Sequence, residues 1–538
     1  MFYFFLLQPT MSRSFQIVFA CLLAVALAQR DPDDREVDKC DRKIDIAIIG
    51  AGVSGTYAAY HLRNASKTIE IFEQSDRIGG RHYTTYLEGV AVDLGAMMYS
   101  ADKHFRMAEL VEELELTQEE FKHAFGKPEE KLYYMREQNL NQNDIKNGNV
   151  PYSLTPEEKR NSGRFVRYVL EKLTGYKEDD FPREVRLTLK GPNDVPLYKY
   201  TIDEALDAAQ ISKEGKEFFK ALIKLDSHLY KDANAVTVFS NDFDYDNENA
   251  TMYRLKEGME SVPTRLSSKF LEASEKHNIT LNRKLYSIQR IKRVPTWEYS
   301  LKMIKTKTGE EETTETGLEE IICAKKVILA VPKQQLSVIQ WEPLKSELVS
   351  KAIDAVRPVP ISKIAMSFSQ SHWLTGANQA LAKFSDEMLG NIYDLGKSND
   401  SNRFVLLASY TEGEDVERLE ALNQDEEHMV GSIEGEHCVS NELKDEVIRL
   451  LKKIYGVNFS DPTKAVSRFW NKSPFEGGVS QWRAGYHYDE VISILRHPSP
   501  IDDVYIVGGD HGWGNSQRWT EGALESVEMV LERHFSDE

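Results

Sequence analysis

Five glycines and two charged side chains in the first eighty-odd residues have the types and spacing to hold a dinucleotide. In IIGAGVSG, Gly50, Gly52 and Gly55 stand at the GxGxxG spacing. Each has its own reason: Gly50 allows a tight turn, Gly52 lets the backbone approach a pyrophosphate, and Gly55 lets the next helix pack on its strand. The free N–H groups and dipole at that helix start favour an anion. Glu73 closes the apolar run TIEIFE, where a carboxylate can meet ribose hydroxyls. These residues alone leave NAD, NADP and FAD open, although an acid at position 73 repels the 2′-phosphate of NADP. The following EQSDRIGGRHYT adds Gly79, Gly80 and Arg81. Its guanidinium can reach a phosphate while the glycines let the chain run close to the cofactor. A simple nicotinamide domain needs no such second turn, so the pair of turns favours FAD.

More than 400 residues later the pattern returns. VYIVGGDHGWGNSQRWTEGALES reads as a buried strand at 504–507, a turn at Gly508, Gly509 and Asp510, and a helix beginning near Glu521 and Gly522. A fold that closes on its cofactor from both ends of the chain has this layout.

The elements that must position these turns are legible in outline. Residues 44–49 are a short apolar run, as in a strand buried on both faces. From 100 to about 249 the pattern is polar and helical. LTPEEKRNSGRFVRYVLEKLTGY predicts one helix, with Thr155 as N-cap, Pro156 at the first position, Glu158 closing a capping box and Gly175 ending it. LYSIQRI, WEYSLKMIKT and LEEIICAKKVILAV predict three strands, with the acidic GEEETTETG as a solvated hairpin tip. Residues 359–456 read as mixed strand and helix. No internal repeat or long linker divides the 538-residue chain, so it reads as one interwoven molecule.

Composition narrows the function class. Hydrophobic residues make up 41%, enough for a substantial core, and the net charge is −19, which excludes broad binding of nucleic acid. Arg13 precedes an apolar run at 15–27 and an Ala-Leu-Ala site, so residues 1–28 are expected to be a secretory signal. That run is too short to span a bilayer and no later stretch approaches the needed length, so no stable membrane insertion is expected. Cys40, Cys323 and Cys438 remain beyond the signal, enough for one internal bridge with one cysteine over. No Cys or His cluster suggests a metal. Sequons at Asn64, Asn249, Asn278, Asn399, Asn458 and Asn471 suit a secreted glycoprotein.

Taken together, IIGAGVSG, IFEQSDRIGGR, LKEGMESVP, VILAVP, VRPVPISKIAMSF, WRAGYHYDEVISILRHPS and VYIVGGDHGWG with WTEGALES resemble the FAD-dependent amine oxidase family. Within it they are most similar to the secreted L-amino-acid oxidases of gastropod molluscs. The likeness runs over essentially the whole mature chain. It implies an α/β fold with a discontinuous Rossmann-like FAD-binding domain (43–100, 251–355 and 461–538), a mainly helical and substrate region (101–250) and a mixed-sheet substrate domain (356–460). It also implies a reaction in which hydride leaves the α-carbon of an amine or amino acid for the flavin. Water then hydrolyses the imine, and O₂ is reduced to hydrogen peroxide.

Position by position, the resemblance assigns Gly50, Gly52, Gly55, Gly80 and Arg81 to the phosphates and Glu73 to the ribose. Gly95, Ala96 and Met97 would border the flavin ring, and Leu285 would give backbone contacts to the adenine. Asp510 would bind the ribitol, with Trp513, Gly514 and Arg518 covering the flavin. Lys363, in PISKIAM, matches the lysine that holds a water near flavin N5; its apolar neighbours after a proline-rich turn favour a buried functional side chain. Tyr393 matches a tyrosine that helps bind the substrate carboxylate.

One residue departs from the pattern. Amino-acid oxidases of the family carry Gly-x-Met-Arg after the VDLG strand, and the arginine binds the substrate carboxylate with a two-pronged fork. Here LGAMMYS places Met98 at that position. Methionine has no donor to offer, and such charge-assisted bonds are worth about 1.5–3 kcal/mol. Three readings follow. Another cation, Arg106 or Arg518, replaces the clamp; the substrate is an amine or polyamine without a carboxylate; or the chain binds FAD with little turnover.

Overall fold

The computed structural model describes residues 40–536 apart from 122–129, 179–180, 224–230, 246–250, 294–296, 309–312, 425–426, 434–436, 473 and 515. The segment read as a signal and the sequon at Asn249 lie outside the described residues.

Two sheets organise the molecule. In the first, the apolar strand Arg42–Ile49 lies at the centre, parallel to Ile69–Phe72 on one side and to Thr313–Leu329 on the other. His277–Thr280 extends it beyond Ile69–Phe72, and Val504–Ile506 pairs in parallel with Thr313–Leu329. The central strand reads apolar throughout because both of its faces are covered. Ile46 and Ile48 pack beneath the helices Val53–Leu62, Ser261–Ala273 and Thr520–His534. Ala47 and Ile49 point into a second core shared with Tyr488–Arg496 and the helical region. The expected three-stranded meander is present: Arg283–Arg293, Trp297–Thr308 and Thr313–Leu329 pair antiparallel in that order. Of the acidic GEEETTETG, residues 313–317 belong to the strand Thr313–Leu329, and 309–312 lie outside the described residues.

A disulfide joins Cys40, just before the central strand, to Cys323 on its neighbour. Cys438 stands outside that bridge with its sulfur 3.3 Å from His428 Nε2.

The second sheet runs Lys464–Phe469, Ile361–Phe368, Phe404–Glu412, Asn391–Lys397, Ala382–Ser385, Tyr133–Met135, Gln138–Leu140. The helix Asn441–Tyr455 covers one face, through Leu443, Val447 and Leu451. The other face looks toward residues 94–98 of the first sheet's region.

The stretch 101–250 is less purely helical than its sequence suggests. It contributes Gln118–Glu120 to a small sheet and the hairpin Tyr133–Leu140 to the large one. The single helix expected after Thr155 is two. The capping box at Thr155 and Glu158 starts Pro156–Arg160, and Phe165–Thr174 ends at Gly175 in the left-handed conformation, φ 75°. Between them the chain tightens at Ser162–Arg164, where Gly163 packs so closely on Lys146 that a Cβ would stand 2.9 Å from its Cα. A tertiary contact, invisible to helix periodicity, breaks the helix there.

Candidate active site

A cavity of about 480 Å³ lies between the two sheets and takes its lining from both. One part is built by backbone. The strand Arg42–Ile49 delivers Gly50, with φ 104° and an added Cβ only 2.5 Å from Ala330 O, into a turn that only glycine makes easily. Gly55 sits so tightly over that turn that a Cβ would fall 1.9 Å from Gly50 O. By contrast a Cβ on Gly52 would meet only Gly80 Cα, at 3.9 Å, and one on Gly508 would meet nothing within 4 Å. Both of these face the cavity, so bare backbone borders room for a ligand. The helix Val53–Leu62 begins at Gly52 with no side-chain cap, leaving its first N–H groups to an anion.

The charged residues of the cradle are fixed in place. Glu73 Oε2 accepts from Ala51 N at 2.8 Å, and its Oε1 accepts from Ser75 N and Oγ. Arg81 Nη1 lies 2.6 Å from Asp510 Oδ1, joining the two turns that are more than 400 residues apart in sequence. Burial works against the charge on Asp510. Arg81 and the Lys333 N–H outweigh it and hold the carboxyl below its usual range. Beside them His82 is buried, which pushes its imidazole down to about 3, and its Nε2 contacts Thr520 Oγ1 at 3.0 Å.

The other part of the cavity is built by side chains on the second sheet. Three adjacent strands each present two residues at the i, i+2 spacing of one sheet face: Ile361 with Lys363, Tyr410 with Glu412, and Asn391 with Tyr393. The register sets them side by side, Lys363 opposite Tyr410 and Ile361 opposite Glu412. Tyr393 packs against Phe121 and Phe384. Met98, Trp470, Trp519 and, from the helical region, Ile223 and Val238 close over this floor.

Lys363 sits where the parts meet. Its Nζ donates to Gly95 O at 2.6 Å and to Asp93 O at 3.1 Å. Trp470 Nε1 pins the same loop through Leu94 O at 2.7 Å. Burial pushes the lysine's proton affinity down, with the charge of Asp93 opposing. Burial likewise pushes the Asp93 carboxyl up, against the bonds it accepts from Thr84 Oγ1 and Met259 N. The Lys363 ammonium position lies 4.6 Å from the Tyr410 ring centre. The Tyr410 hydroxyl is pushed up to about 12 by burial and by Glu412.

Most residues singled out from sequence line this cavity: Gly50, Gly52, Glu73, Gly80, Arg81, Gly95, Ala96, Met97, Met98, Leu285, Lys363, Tyr393, Asp510 and Arg518. Gly55 supports it from behind. Trp513 and Gly514 do not line it. The Trp513 ring packs on Tyr488 with the Arg183 guanidinium over its face, and Gly514 abuts the same tyrosine. Arg106 is also elsewhere, held by Glu521 and Glu528. The sequence reading missed His82, Tyr410, Glu412, Trp470 and Trp519. The alternation in LASYTE could have flagged Tyr410 and Glu412 as one face of a strand; Trp470 has no comparable signal.

A dinucleotide cradle opening onto a sheet-floored chamber with a buried lysine is the arrangement of a flavoprotein oxidoreductase. The chain belongs to the family described as flavin containing amine oxidoreductase, whose pattern matches residues 53–528. Its cofactor is FAD. Open space at Gly52 and Gly508, the uncapped helix start and the Arg81–Asp510 pair all fit it. The chain is 37% identical to achacin of Lissachatina fulica, over 97% of this chain and 99% of that one. It is equally identical to aplysianin-A of Aplysia kurodai, over 96% and 94%. An L-amino-acid oxidase of Sistrurus catenatus edwardsii is 23% identical over 93% of each. Among solved structures, putrescine oxidase bound to putrescine superposes with a TM-score of 0.66 at 16% identity, over 92% of this chain and 99% of that one. Cyclohexylamine oxidase from Brevibacterium oxydans superposes at 0.65 and 18%, over 91% and 99%. Those two likenesses speak to the fold.

Proposed function

We propose that this chain is a secreted oxidase of L-amino acids. An amino acid, O₂ and water give a 2-oxo acid, ammonia and hydrogen peroxide. When bound, the flavin would supply the redox chemistry, as acceptor of hydride from the α-carbon and donor of electrons to O₂. The chain's own residues do the rest. Gly50, Gly52, Arg81, Asp510 and the start of Val53–Leu62 would hold the cofactor, and Glu73 would hold its ribose. Met97 and Met98 would border its ring, and Tyr393, Tyr410 and Trp519 would form an aromatic enclosure that excludes bulk water and aims the C–H bond. Lys363 has three tetrahedral positions beyond its carbon. Two are given to Gly95 O and Asp93 O, so the third is left for a water or a substrate proton in the cavity.

The observation that carries this reading is the position of Lys363, at the seam between a dinucleotide cradle and a floor of three strand pairs. Secretion is supported by the apolar run at 15–27 and by the Cys40–Cys323 disulfide, a bond of oxidising compartments. Asn64, Asn278, Asn399 and Asn458 are exposed, as glycan acceptors must be. A second reading, oxidation of a diamine, draws on Met98, which cannot bind a carboxylate, and on Glu412, which could receive a second ammonium.

Anaerobic addition of L-amino acids to the purified yellow protein tests both. Bleaching of the flavin bands, with hydrogen peroxide on admitting air, is expected. Bands bleached only by amines without a carboxylate would install the second reading.

A further inference from the structure

An α-amino acid brings its carboxylate within one bond of the carbon to be oxidised, so that charge has to enter the cavity and meet a cation there. Met98 offers none. Five cationic side chains line the cavity among the described residues. Arg81 is bound to Asp510, Arg283 to Glu320 and Lys284 to Glu315, and these three stand on the cofactor side. Lys363 directs its Nζ at two carbonyls.

Arg518 differs from all of these. Its Nη2 donates to Glu412 Oε1, while its Nε and Nη1 have no hydrogen-bond partner among the described residues. Its side chain is 18% exposed, sheltered enough for a charged bond to count. It also stands on a divide. A second hollow of about 370 Å³ shares Ile223, Asn391, Tyr410, Glu412 and Arg518 with the first. Glu412 Oε2 is buried without a partner among the described residues, so the carboxylate holds the guanidinium by one oxygen only and leaves most of its donor fork uncommitted.

We infer that Arg518, oriented by Glu412, is the residue that anchors the substrate carboxylate in this chain, in the role that Met98 cannot fill. This rests on the amino-acid reading proposed above. Glu412 holds one arm of the fork through Nη2, leaving Nε and Nη1 available to a ligand, and so acts as a positioning residue. The arrangement moves the anchor from the loop at residue 98 to the residues that the two hollows share.

The test uses the holoenzyme and two readouts: KM and kcat for L-leucine, L-phenylalanine and L-lysine, and the dissociation constant of benzoate, read from its perturbation of the flavin spectrum. Arg518→Met should raise both KM and the benzoate constant about 10- to 100-fold, the span of a lost charge-assisted bond, with kcat falling far less. Arg518→Lys, which keeps the charge but loses the fork, should give an intermediate loss and serves where the first variant retains too little flavin. Adding Met98→Arg to Arg518→Met should restore benzoate binding. Unchanged KM and benzoate affinity in a yellow Arg518→Met or Arg518→Lys protein would overturn the inference alone. A wild-type flavin that no L-amino acid bleaches would overturn the amino-acid reading and this anchor with it.

Discussion

The two parts of the cavity are made by different means. On the cofactor side the chain recognises its ligand with backbone, so the requirement is for absent side chains at fixed intervals: Gly50, Gly52 and Gly55 in one turn, Gly79 and Gly80 in the next, Gly508 in the third. On the substrate side it uses side chains, gathered one or two at a time from strands between residues 361 and 412, a loop at 98, a tryptophan at 470 and a helix start at 519. Backbone recognition tolerates little change because a single Cβ collides with main chain at Gly50 and Gly55, or takes up room meant for the ligand at Gly52 and Gly508. Side-chain recognition can be rearranged residue by residue, which is how a cavity with an intact cradle can lose an arginine at 98.

The strongest test of that contrast is Gly55→Ala. Its Cβ would lie 1.9 Å from Gly50 O, forcing the helix Val53–Leu62 off its strand. The purified protein should be colourless, with no flavin released on denaturation; a yellow Gly55→Ala protein would break the distinction. Lys363→Met should do the reverse. Flavin content should stay at one per chain while kcat falls about 100-fold, the lower range for a lost proton-handling group. Turnover at the wild-type rate would place Lys363 outside the chemistry. Asp93→Asn should have the smallest effect and the sharpest signature. The negative charge of Asp93 favours the protonated form of Lys363, so its removal makes the lysine lose its proton more readily. The rate limb that belongs to this lysine should then move to lower pH, at nearly unchanged flavin content. A limb that stays in place would show that the pair is not coupled in the working enzyme.

The same contrast explains what could be read from sequence. The cradle was legible because steric exclusion leaves a regular trace, and the meander at 283–329 because its runs are long and rich in β-branched and aromatic residues. Lys363 and Tyr393 were found through family likeness, since a lone lysine or tyrosine carries no spacing of its own. Tyr410 and Glu412 were overlooked although they share one strand face, because nothing local says which face meets a cavity. Trp513 was misplaced because residues 513–518 were taken as one cover. The chain instead turns so that Gln517, Arg518 and Trp519 face inward and Trp513 packs against Tyr488. Arg518 was named as a candidate anchor beside Arg106. Their places separate them: Arg518 lines the cavity and pairs with Glu412, whereas Arg106 lies outside it, held by Glu521 and Glu528.

The contact between Arg81 and Asp510 also has a temporal side. Arg81 leaves the ribosome early, and its partner follows 429 residues later by the numbering, roughly 20–90 s at ordinary elongation rates. The central strand waits in the same way for Thr313–Leu329 and then for Val504–Ile506. The nucleotide-binding half therefore cannot mature while the chain is being made. A chain that stops before Asp510 lacks the partner of Arg81 and is expected to bind no flavin, so cofactor loading should wait until the chain is nearly complete.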